Sequence, residues 1–330
     1  MAPSESIEYE WIDGVERLEV YEPGGYQPVM INDLLHDRYP VLDKLGYGVN
    51  ISSPSLPRRE SSIIRALSGS SSTFQAAHTA IGARDAIPSI LDEFDIQGPN
   101  GTYACYTLAP AQGNLREASF SLFPIQVARA LAAKLTTAVS FVHSQGFVHG
   151  VIVDIHLRNV LVKFPSTFDE LSIDQFREKF GEPELIPISR VDRKPLPPNI
   201  PSQAVLPLYL GKKAQEFTLA DARGLVLSDF GEAFAPATGQ RLGKDCNTPF
   251  PMRAIEAVFD PDAPLSYPSD IWSLGTAIWE ILGMKFIFSE SETRDAIVAQ
   301  QIGVLGSRHF PPSWQKYWEQ LITEQMGKDE

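Results

Sequence analysis

The stretch that decides the fold is residues 146–163, GFVHGVIVDIHLRNVLVK. Phe147 and Val148 lead into it, and Val160, Leu161 and Val162 lead out with the composition of a buried strand. Between them lie His149, Asp154 and Asn159. A carboxylate can accept a proton, and an amide oxygen five residues on can help hold a hard divalent cation. The spacing alone is a weak signal, because Asp and Asn also populate ordinary turns. Order along the chain strengthens it. A second apolar run, Leu225, Val226 and Leu227, ends in Ser228-Asp229-Phe230-Gly231. Ser269-Asp270-Ile271-Trp272-Ser273-Leu274-Gly275 then opens an apolar helix.

The chain has 330 residues, 43% of them hydrophobic, enough for one two-lobed domain or two small ones with a substantial core. The two cysteines, Cys105 and Cys246, exclude a disulfide framework and argue for a reducing compartment. The six histidines show no metal-ligand spacing. No apolar run approaches the ~18 residues of a membrane span, and residues 1–10 are acidic rather than signal-like. A net charge of −13 disfavours nonspecific nucleic-acid binding and suits a basic protein substrate, although solubility alone also accounts for it.

Residues 1–20 read as a partly ordered acidic arm. Residues 39–45 alternate like a strand that runs into Gly46-Tyr47-Gly48, where bare backbone can approach a ligand. Residues 51–57 read as linker, 58–67 as a helix with Ile63, Ile64 and Leu67 on one face, and 69–84 as loop. Strands over 90–96 and 102–108 are joined by a Pro99-Asn100-Gly101 turn. The longest helical pattern spans 123–145, with Ile125, Ala128, Leu131, Ala132, Leu135, Val139 and Val142 as its stripe. Residues 164–223, proline-rich in the middle, read as an insertion packed on the surface or partly mobile. Helices are expected over 268–283, 293–305 and 313–325.

Together these features resemble the eukaryotic protein kinases, most closely the SR-protein-kinase type. The resemblance rests on G-G-Y-x-P-V-x-I-x-D-x-L-x-x-R-Y-x-V-x-x-K-L-G-x-G over residues 24–48, on Asp154 with Asn159, on the spacer, and on Asp229-Phe230-Gly231 with the later Asp270 stretch. It covers about residues 21–325. It implies an α+β, two-lobed, protein-kinase-like fold. The acidic arm (1–20) would precede a reduced β-rich lobe (21–110), a mainly helical lobe (111–325) carrying the spacer at 164–223, and a tail (326–330).

The resemblance also implies a reaction: transfer of the γ-phosphate of ATP, with Mg2+, to Ser or Thr of Arg/Ser-rich proteins in mRNA processing. A location in cytoplasm and nucleus follows, with no direct nucleic-acid or membrane partner. Asp154 would be the catalytic base, and His156 stands where a lysine usually faces the γ-phosphate. Asn159 and Asp229 would hold the metal. Gly46 and Gly48 would cover the phosphates, Glu60 would be the helix carboxylate, and Leu108, Ala109 and Ala111 would bind adenine through their backbone. Glu256 would close the activation segment, and Asp270 would brace the catalytic loop unless it merely caps its helix.

The sequence also departs from this pattern. Ile51 replaces the third glycine. Only residues 49–59 separate Gly48 from Glu60, with no strand pattern and no lysine to pair with that carboxylate. Val151, Ile152 and Val153 stand between His149-Gly150 and Asp154, where the family places the Asp directly after the pair. An arginine partner for Glu256 is not identifiable. Misplacing a base by about 1 Å costs on the order of a hundredfold in rate, and losing one preorganised charge contact costs roughly a hundred- to thousandfold. Two readings follow: a protein kinase, or a pseudokinase serving as a non-catalytic binding module. An aminoglycoside-type phosphotransferase is disfavoured by residues 24–48 and Asp270-Ile271-Trp272.

Overall fold

The structure, a computed structural model, describes residues 7–47, 56–69, 79–118, 121–150, 155–246, 248–283, 286–289, 291–306, 308, 310–316, 318 and 319. Two short strands, β1 (Leu34–Leu35) and β2 (Tyr39–Pro40), precede helices α1 (Leu56–Gly69) and α2 (Thr79–Arg84). Next come β3 (Ile90–Gly98), β4 (Gly101–Leu108), β5 (Ala111–Asn114), α3 (Leu115–Ala118), α4 (Ile125–Ser144) and β6 (Val160–Lys163). They are followed by α5 (Ile173–Phe180), β7 (Leu185–Pro187), β8 (Gln203–Val205), α6 (Leu219–Arg223) and β9 (Leu225–Leu227). Helices α7 (Glu256–Phe259), α8 (Tyr267–Gly283) and α9 (Arg294–Leu305) follow, and residues 312–316, 318 and 319, within the helix expected over 313–325 or next to it, are also helical.

The chain divides into two compact units. One holds Met1–Ser62, Ser89–Gln112 and Phe164–Gly211; the other holds Ile63–Pro88, Gly113–Lys163 and Lys212–Glu330. This division does not follow the expected ranges. Most of the spacer groups with the first unit, and residues 63–88 group with the second.

In the first unit, β3 and β4 form an antiparallel hairpin from Ile90↔Leu108 to Gly98↔Gly101. Exposure alternates along β3, with Ile90, Phe94 and Ile96 on its less exposed face. The described part of the acidic arm, from residue 7, is packed. Val15, Leu18 and Tyr21 are buried against Ile188, Ile200 and Ala204 of the spacer. The Glu10 amide donates to Ser189 O at 2.9 Å, and the Val191 amide donates to Glu8 O at 3.1 Å. The acidic residues mask an apolar series, Ile12, Val15 and Leu18, that needs a partner surface. The spacer supplies it with β7 and β8, paired from Leu185↔Val205 to Pro187↔Gln203.

The strand expected over 39–45 stops at Pro40. Its remaining backbone groups are used elsewhere. Arg177 of α5 donates to Leu42 O, and the Leu208 amide donates to Lys44 O at 2.7 Å. A backbone engaged this way cannot also serve a sheet neighbour.

In the second unit α4 packs against α6 and α8. By length and composition α4 could cross a membrane, contrary to the sequence expectation. Eight of its residues, among them Leu131, Leu135, Val139 and Val142, are nonetheless buried in this unit, which makes it a core helix. Ile125, expected in the stripe, is instead exposed. Residues 79–84, expected as loop, form α2, whose following Ala86 O accepts from the Leu227 amide at 2.8 Å. Strand β6 pairs antiparallel with β9, Val160 opposite Leu227.

Leu18 is 5% exposed at the centre of the arm–spacer cluster. Leu18→Ala is expected to cost about 2–5 kcal/mol of unfolding free energy in urea. A detached arm would show a change within about 0.5 kcal/mol.

Candidate active site

The β6–β9 pairing builds the site. Asn159 immediately precedes β6 and Ser228 immediately follows β9, so the two meet at the same end of the ladder. The Ser228 amide and hydroxyl both donate to Asn159 O, at 2.8 and 3.0 Å. Asp229 therefore leaves its strand beside Asn159. Its backbone has φ +63°, a left-handed conformation that Asp tolerates better than most side chains. Strain of this kind concentrates at functional turns.

Phe230 is fully buried and meets the His149 ring edge-to-face, with centroids 4.8 Å apart. His149 Nε2 lies 3.0 Å from Ser228 O. A carbonyl only accepts, so Nε2 carries a proton in this hydrogen bond. The buried Nδ1 has no hydrogen-bond partner among the described residues.

Asp270 of α8 is 2% exposed and holds this loop from below. Its Oδ2 accepts from the His149 amide at 2.7 Å and from His143 Nε2 at 2.8 Å, and its Oδ1 accepts from the Gly150 amide at 3.4 Å. The carboxylate thus braces the loop across more than a hundred residues of chain rather than only capping α8. Gly150 has φ +122°, and a Cβ there would stand 2.6 Å from Glu232 O. Only glycine fits between the brace and the strand bridge Val148↔Phe234.

Burial raises the Asp229 carboxyl above the ordinary aspartate range, against the opposing pull of His149 and the Gly231 backbone. Burial lowers His156 to a pKa of about 4, helped by the charges of Arg158, His149 and Arg116. Its Nδ1 accepts from the Arg158 amide at 3.1 Å, which leaves Nε2–H as a neutral donor. Glu256 is also raised, chiefly by burial, and has no ion-pair partner among the described residues. The donor set suits Mg2+: a carboxylate and an amide oxygen are hard ligands, and a bound cation would offset the burial penalty on Asp229.

Of the other expected site residues, Asp154 and Gly48 lie outside the described residues. Gly46 is exposed in the first unit, and Glu60 is half-buried on α1. Leu108 ends β4, Ala109 is exposed and Ala111 opens β5. The structure brings together Asn159, Asp229, His149 and Asp270. Three cations of the first unit are engaged by carboxylates: Lys44 by buried Glu16, Arg58 by both oxygens of Asp95 at 2.9 and 2.8 Å, and Arg38 by Asp92 at 3.5 Å. Sequence reasoning missed His143. The available signal was its place after Leu135 and Val139 at four-residue spacing, where an imidazole on an apolar stripe needs a polar partner.

No protein-family model matches the chain. Two serine/threonine protein kinases of Aspergillus fumigatus, from strains CBS 144.89 and Af293, are each 23% identical to it over 346 residues, covering 92% of this chain and 75% of theirs. The crystal structure of a kinase domain aligns with a TM-score of 0.50 at 17% identity, covering 81% of this chain and 70% of that one. The chain has a protein-kinase-like α+β fold.

Because the folded Asp229 carboxyl holds its proton more tightly than the unfolded one, the folded state binds more protons between the two pKa values. This group's contribution is therefore lost as pH rises through that window. Asp229→Asn is expected to raise the Tm at pH 7, with the gain fading as pH falls toward about 3.9, the ordinary aspartate value. A lower Tm for the variant at pH 7 would show that contacts of the ionised carboxylate outweigh its burial.

Proposed function

We propose that the chain is a serine/threonine protein kinase whose rate is limited by the loss of a phosphate-anchoring cation. The observation that carries this reading is the convergence of Asn159 and Asp229 at the ends of β6 and β9, above a loop braced by Asp270. ATP with Mg2+ supplies the transferable phosphoryl group. Asn159 and Asp229 hold the cation, and Asp154 takes the proton of the acceptor hydroxyl. By the family resemblance, the backbone of Leu108, Ala109 and Ala111 would be the adenine contact, and Gly46 and Gly48 the glycines of the phosphate loop. His156 is neutral at pH 7 and offers one hydrogen bond rather than a charge. The SR-protein-kinase subtype rests on residues 24–48 and the spacer; under it the substrates are proteins rich in Arg and Ser.

A second reading, a pseudokinase, is favoured by a specific observation. No lysine lies between Lys44 and Lys134, and Lys44 is held by Glu16. Binding distinguishes the two at the first step. A ligand at a hundred times its Kd adds about 2.7 kcal/mol of stability, so millimolar Mg-ATP is expected to raise the Tm clearly. Transfer of labelled γ-phosphate to a Ser peptide should follow and vanish in Asp154→Asn. Absence of any Mg-ATP shift overturns the kinase reading, and unchanged labelling by the variant removes Asp154 as the base.

A further inference from the structure

We propose that a small pocket beside the catalytic loop receives an anionic side chain of the peptide substrate, a carboxylate or a phosphate. This rests on the kinase reading above but not on its SR-protein-kinase subtype, whose Arg/Ser-rich substrates this pocket would disfavour. The pocket has a volume of about 110 Å³ and is lined by His156, Leu157 and Arg158 together with Arg116, Glu280 and Phe286. Drug-sized ligands occupy about 300–1,000 Å³, so this space fits one side chain rather than a nucleotide. Its loop wall begins two residues after Asp154.

Its charge sets the preference. Glu280 of α8 has a side chain only 4% exposed, and Arg116 of α3 meets it at 3.3 Å. The Arg116 guanidinium lies 3.7 Å from the centroid of the Phe286 ring, which fixes its other face. The Glu280 carboxylate is thus already neutralised from within and is a poor receptor for a substrate cation. Arg158 is exposed, and its guanidinium has no carboxylate partner among the described residues. Two guanidiniums against one carboxylate leave the pocket with a net positive charge. His156 adds none at neutral pH, and the depression of its pKa by both Arg158 and Arg116 reports the same positive field.

The surroundings sharpen the contrast. The chain as a whole carries −13, so its net charge does not attract an anionic peptide. At physiological salt charges act over about 8 Å, so attraction must come from this pocket. An Arg-rich peptide would instead set its guanidinium against Arg158.

The test uses the full chain and three fluorescent Ser peptides in anisotropy titrations. One is flanked by Glu, one by phosphoserine and one by Arg/Ser repeats. The Glu or phosphoserine peptide is expected to bind at least tenfold more tightly than the Arg/Ser peptide. Arg158→Glu should reverse that order, and Arg158→Gln should weaken anionic binding without favouring the basic peptide. Tighter binding of the Arg/Ser peptide overturns the proposal, as does anionic binding indifferent to Arg158→Glu or no binding of any peptide. Preference between the two anionic peptides identifies the group received. A parallel Mg-ATP thermal shift tests the kinase reading separately, since a positive shift with no anionic preference removes only the pocket's role.

Discussion

The buried Asp270 carboxylate is the interaction on which the second unit's site depends. An unpaired charge at 2% exposure would be costly, but here three donors, two backbone amides and an imidazole, converge on it. Each donor belongs to a different part of the construction. His143 ties the brace to α4, His149 ties it to the ring of Phe230, and Gly150 fixes the loop where no larger residue fits. The loop is therefore positioned by α8 rather than by its own local propensities. That explains how it keeps its geometry up to Gly150 despite the three apolar residues that follow.

The same unit brings Asn159 and Asp229 together but leaves the Asp229 carboxylate at a thermodynamic disadvantage. Asp229 is both in a left-handed backbone conformation and penalised for ionising. Both costs are local, and a cation would relieve the second. Three cations of the first unit are already paired. Lys44, Arg58 and Arg38 are each committed to a carboxylate there, and release of Lys44 would leave Glu16, at 8% exposure, as a buried charge.

The sequence made the second unit's framework legible because its signals are local. Apolar runs on either side of Asn159 and before Asp229 define β6 and β9, and their pairing follows from two short buried strands. The stripe of α4 and the apolar start of α8 were equally readable. The brace was legible only through family resemblance, since Asp270 alone reads as a helix cap. His143 was hidden because one polar residue on an apolar face carries no address for its partner. The first unit was less readable. A run of glutamates concealed Val15 and Leu18, and a proline-rich spacer gave no period to suggest β7 and β8.

That hidden packing bears on how the first unit stands at all. A two-stranded hairpin is marginal in water and needs a further apolar surface to persist. Among the described residues β3 and β4 pair only with each other. The arm and spacer provide a second core in this unit: Asn100, in the hairpin turn, donates to Tyr26 O at 2.5 Å and to Asn199 O at 3.0 Å. Asn199 in turn donates to Tyr21 O at 2.6 Å, beside the cluster of Val15, Leu18 and Ile200. The turn is thereby fastened to a core drawn from both ends of the unit's sequence. The spacer is then a structural part of this unit, and its retention is explained by stability before any role in binding is invoked.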